Sequence, residues 1–116
     1  MEHPESSGAD LHDKIKAIKH ELRMSTQQVL EELTRDYMTY VMVQVEKDFI
    51  AFIFRPDDDE PEYSVEVFRI QIDPRDDKWM ITTLGGDFRP KIFYQLAELC
   101  NSLNTHKIKN IETWFK

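Results

Sequence analysis

Residues 37–54, Tyr37-Met-Thr-Tyr-Val-Met-Val-Gln-Val-Glu-Lys-Asp-Phe-Ile-Ala-Phe-Ile-Phe54, decide the fold. Tyr37 to Val45 is rich in β-branched and aromatic residues, which suit a pleated, half-covered surface. Phe49 to Phe54 is a near-continuous apolar run, which predicts a strand covered on both faces. The polar residues Glu46, Lys47 and Asp48 leave room only for a tight return. The two runs are therefore expected to pair as an antiparallel hairpin.

Toward the C-terminus the strand signals continue. Arg55 to Glu62 reads as a long acidic loop with Pro56 and Pro61 near its ends. Tyr63 to Ile72 predicts a third strand with Phe68, Ile70 and Ile72 alternating onto one face. Asp73 to Asp77 reads as a turn, and Lys78 to Leu84 as a fourth strand that Gly85-Gly86-Asp87 ends. Phe88, Ile92, Leu96, Leu99 and Leu103 then fall on one helical face, with Phe93 and Cys100 beside it and Pro90 near its start. Asn104 and Thr105 end that helix. Ile108, Ile111 and Phe115 predict a last short one.

Toward the N-terminus lies a heptad-like helix over 11–34. Its apolar positions Leu11, Ile15, Ile18, Leu22, Val29 and Leu33 step by four, three, four, seven and four, with Ser25 where a seam wants an apolar residue. About three heptads suit a short coiled-coil stalk. The competing reading is an amphipathic helix lying on its own sheet. Lys14, Lys16, Lys19 and Arg23 make its first half basic, and Glu31 and Glu32 make its end acidic. Asp10 is the expected N-cap, and residues 1–10 read as a disordered leader. Residues 35–116 form the head. The resulting fold class is α+β: an N-terminal amphipathic helix, a four-stranded antiparallel meander and two C-terminal helices.

Composition narrows the function classes. The chain has 116 residues, 41% hydrophobic and 32% charged, with a net charge of −7. An acidic surface has the wrong field for nucleic-acid backbones or anionic membranes. No apolar run approaches the ~20 residues that span a bilayer. One cysteine, Cys100, permits no internal disulfide, which fits a reducing compartment.

Signals for chemistry are sparse. The sequence contains three glycines, two of them adjacent, so no phosphate-cradling loop can be built. His3, His12, His20 and His106 are scattered. Met1-Glu2-His3 has only the generic metal affinity of a third-position histidine. Asp57-Asp58-Asp59-Glu60 lacks the glycine and distal glutamate of a calcium loop and reads as solvated. Cys100 sits on an apolar helix and reads as a buried, inert thiol. Trp79 and Trp114 suit either a core or a partner contact. No enzyme activity, cofactor, metal or small-molecule substrate is expected.

The element order resembles the RWD domain. The resemblance covers roughly residues 30 to 115. It narrows at Phe49-Ile-Ala-Phe-Ile-Phe54, Val67-Phe-Arg-Ile70, Trp79-Met-Ile81 and Leu99-Cys-Asn-Ser-Leu-Asn104, which look like the globular heads that follow a coiled coil in outer-kinetochore subunits. The Tyr-Pro-Pro signature of signalling RWD domains is missing. So are the His-Pro-Asn and the placed cysteine of the related ubiquitin-conjugating enzymes. The resemblance implies a nuclear, kinetochore-associated interaction module that pairs with a related subunit as a hetero- or homodimer; the cytoplasm is the alternative location. Ile15, Ile18, Leu22 and Val29 are then the partner-facing seam, and Trp114 a further anchor. Two other readings stand beside it: an acidic dimeric secretion-type chaperone, and an inactive relative of ubiquitin-conjugating enzymes.

Overall fold

The hairpin forms as its composition requires. In the computed structural model, which describes residues 7–37, 40–55, 64–83 and 89–115, β1 (Tyr40–Val45) and β2 (Phe49–Arg55) are adjacent and antiparallel. β3 (Val65–Asp73) and β4 (Lys78–Thr83) complete a four-stranded meander in the order β1-β2-β3-β4. A long helix, α1 (Ser7–Tyr37), precedes the sheet, and α2 (Pro90–Thr105) follows it. The α+β class and the four antiparallel strands are thus as the sequence implies.

Register sorts the strand residues onto two faces. Val45 lies opposite Ile50, Val43 opposite Phe52, Ile50 opposite Ile70, and Ile70 opposite Ile81. This set points at the helices. It joins Leu22, Val29 and Leu33 of α1 and Ile92, Leu96, Leu99 and Leu103 of α2 in one core. Fully burying each such side chain contributes about 1.5–3 kcal/mol before the entropy of ordering is subtracted.

The other sheet face is covered in an unexpected way. Ala51, opposite Arg69, is completely buried. Arg69 lies with its guanidinium 4.0 Å from the centre of the Phe49 ring and donates twice to Glu66, at 3.0 and 2.7 Å. Arg69 and Phe49 thus lie on the same sheet face as Ala51. Val67 is the extra residue at a bulge, since Phe52 pairs with Phe68 and Ile53 with Glu66.

Four sequence expectations change. The N-terminal helix runs from Ser7 to Tyr37, beyond both ends of the 11–34 span. Residues 7–10 are helical, so Asp10 is a first-turn residue that favours the helix dipole and not its N-cap. Tyr37 is likewise helical. Finally, the expected last helix is one 3₁₀ turn, Ile111–Trp114, so α1 and α2 are the two α-helices among the described residues. Lys107, at φ 55°, takes a left-handed conformation that separates this turn from α2. Tyr63, Leu84 and Phe88 lie outside the described residues.

Candidate docking surface

The expected seam residues separate into two groups. Leu22 and Val29 are 0% exposed, enclosed by the sheet and α2. This corrects the seam expectation for both: they hold the head together and present nothing to a second chain. The cause lies at Thr26. It is buried, and its Oγ1 donates to the Leu22 carbonyl at 2.8 Å, so its polarity is satisfied inside the helix. The inward stripe is Leu22, Thr26, Val29 and Leu33, with the period of a straight helix packed on a core. Ser25 faces away, into a polar groove between α1 and α2 lined by Glu21, Glu98, Asn101, Ser102 and Thr105.

Farther toward the N-terminus the same stripe emerges from the head. Ile18 is half-buried against the core, Ile15 is half-buried, and Leu11 is 60% exposed. A helix of 31 residues is about 46 Å long, against about 20 Å for a six-residue strand. The molecule measures 58 × 30 × 24 Å accordingly. Trp114, half-buried, packs against the core from the 3₁₀ turn.

The two edges of the sheet differ. At β4, Asn104 pairs with Trp79 as a strand would: the Trp79 N–H donates to Asn104 Oδ1 at 2.8 Å, and Asn104 Nδ2 donates to the Trp79 carbonyl at 3.1 Å. The Trp79 indole Nε1–H in turn donates to the Ile108 carbonyl at 2.7 Å. Trp79 is thereby a core residue, and this edge is guarded.

At β1, no strand among the described residues pairs with the outer edge. The Glu46 N–H donates to the Phe49 carbonyl at 2.9 Å. Antiparallel pairs alternate, so Gln44–Ala51 and Met42–Ile53 are also hydrogen-bonded pairs, and the backbone groups of Val41, Val43 and Val45 point away from β2. Val43 and Val45 also line a groove of about 380 Å³ with Arg23, Thr26, Leu30 and Phe115. Neither this edge nor the Asn104 pairing was foreseen from sequence. The signals were a charge-free strand, Tyr40-Val-Met-Val-Gln-Val45, and an asparagine at the end of an amphipathic helix.

The remaining candidates are quickly placed. Cys100 is buried, and burial pushes its thiol up to about 12. His12 and His20 are exposed. Among the described residues no group of His, Cys, Asp or Glu could hold a metal, and no helix is long and apolar enough to cross a membrane. His3 and Asp57–Glu60 lie outside the described residues. Compared with known proteins, the chain matches no family model, no curated protein and no solved structure.

Proposed function

We propose that this chain acts by binding and not by catalysis: an RWD-like head that pairs with a related helical subunit and docks a partner, in the manner of kinetochore subunits in the nucleus. The single observation that carries the pairing is the apolar stripe of α1, which continues beyond Ile18, itself packed on the core, as Ile15 and Leu11. The seam so revised omits Leu22 and Val29. A second helix laid on the projecting turns would cover Leu11 and Ile15, and Lys14 would face its acidic residues. The kinetochore-type reading draws on the element order of long helix, four-strand meander and helix.

The test is a substitution on the projecting turns. Leu11→Asp with Ile15→Asp should abolish co-purification with the helical partner, because each places an unpaired charge in a desolvated seam. The melting temperature of the isolated chain should stay within a few degrees, since these residues lie outside the core. Loss of folding would overturn the reading. Retained co-purification would do the same. A fluorescent fusion concentrated at centromeres during mitosis would support the kinetochore assignment, and a diffuse signal would count against it.

A further inference from the structure

We infer that the outer edge of β1 is a docking site for an extended partner segment that carries acidic residues ahead of an aliphatic, strand-forming stretch. The proposal rests on the reading of the chain as an interaction module, but it assigns a surface other than the projecting turns of α1.

Three observations lead to it. First, the outward backbone groups of the half-buried Val43 and Val45 offer donors and acceptors at alternate residues, the pattern that an added strand satisfies, while Val41, 4% exposed, is enclosed. Second, β1 carries none of the features that blunt an edge: Tyr40 to Val45 contains no charge and no proline, and the sheet's bulge lies in β3. The opposite edge, by contrast, is capped at Trp79 by Asn104. Third, the groove over β1 has an apolar floor of Val43, Val45, Leu30 and Phe115, which would receive alternate aliphatic side chains.

Charge fixes the occupant's chemistry and its direction. Arg23 lines the groove. Lys19 and Lys16 lie four and seven residues before it, and so on the same side of α1. Of the acidic residues of α1, Asp13 and Glu31 flank this side, three residues before Lys16 and four after Gln27 of the groove, whereas Asp10, Glu21 and Glu32 fall on the other sides. A chain of net charge −7 thus keeps a basic ridge that continues the groove. β1 follows α1 in the chain, and Val45, at the end of β1 farther from their connection, shares the groove with Arg23 and Thr26. An antiparallel added strand starts beside Val45, so the residues preceding it pass the ridge. Acidic residues are therefore placed N-terminal to the aliphatic stretch. A second copy of the chain fits less well, because its own β1 is preceded by the covalently attached α1.

The probe is a synthetic peptide with an acidic N-terminal half and alternating valine and threonine in its C-terminal half. It is titrated into the full chain at low salt and followed by amide hydrogen exchange. Slowed exchange at Val43 and Val45 is expected. Lys16→Glu with Lys19→Glu should weaken binding about tenfold, through loss of charge complementarity. Val43→Pro should abolish binding while leaving the fold, since the amide it removes faces outward. Should that variant not fold, the exchange data on the unsubstituted chain decide. Leu11→Asp with Ile15→Asp should bind the peptide unchanged, so this site and the α1 seam can fail separately. The inference is overturned if exchange at Val43 and Val45 is unaltered, or if the peptide perturbs only Lys16 and Lys19. It is also overturned if the two valine amides are already protected in a free dimer that Val43→Pro dissociates, which would make a second copy the occupant.

Discussion

Asn104 closes β4 with one side-chain amide that both accepts and donates. Asn104→Asp keeps an acceptor for the Trp79 N–H but sets a carboxylate against the Trp79 carbonyl. We expect a loss of about 1–3 kcal/mol in urea unfolding, larger than for a surface substitution. Leu22→Asp is more severe. A charge at a fully enclosed position leaves no folded state, so circular dichroism should show none of the native transition. Cys100 gives a pH signature. Its thiol is held neutral up to about 12 by burial, whereas in the unfolded chain it ionises near its ordinary value of 9.0. Below that value the group has no effect on the pH dependence of stability. Above it, the unfolded state loses its proton first, so stability falls between about 9 and 12. Thermal melts over that range should decline less steeply for Cys100→Ala than for the native chain. The same neutrality predicts slow alkylation of the folded protein.

At the scale of elements, the strands were legible because their signal is local. Alternation in Phe68, Ile70 and Ile72 and the polar break at Lys47-Asp48 place β1 to β4 to within a few residues. Helix α2 was equally plain from Ile92, Leu96, Leu99 and Leu103. The role of α1 was not. Heptad and straight-helix periods agree over most of its length and part company at residues 25 and 26, where one demands Ser25 and the other Thr26 on the stripe. A hydroxyl that bonds back to the Leu22 carbonyl reads as polar in sequence yet lies buried. This distinction is testable. Thr26→Val should change stability by no more than about 1 kcal/mol, since donor and hydroxyl leave together. Ser25→Leu should add nothing, because it faces the polar groove; a coiled-coil seam would gain from it. The last helix failed for lack of length: Ile108, Ile111 and Phe115 span too few residues to nucleate, and the positive φ of Lys107 breaks continuity with α2.

For the whole molecule, shape is the informative quantity. A compact chain of 116 residues has a radius of gyration of about 13 Å by size scaling, whereas this one has 16.4 Å. Small-angle scattering on the monomer should reproduce the larger value, and removal of residues 1–14 should lower it without lowering the melting temperature. Association through α1 would be invisible to that stability measurement but plain in the mass. The sequence sets Leu11 and Ile15 on one stripe with Leu22. It could not separate them from Leu22, because what distinguishes the two is how far the head reaches along the helix.

The pairing of Asn104 with Trp79, and that of the Ile111 N–H with the Lys47 carbonyl at 3.0 Å, tie late residues to early ones. Order of synthesis then matters. As the chain leaves the ribosome, all four strands emerge before the side chain that seals β4 and before the turn that buttresses the first hairpin. During that interval both sheet edges are open and Trp79 lacks its indole partner, Ile108. The interval is the period of greatest exposure to aggregation. A message truncated between β4 and Asn104 would yield a sheet with no guarded edge, and its product would be a client of chaperones and proteases, not a weakened version of the protein.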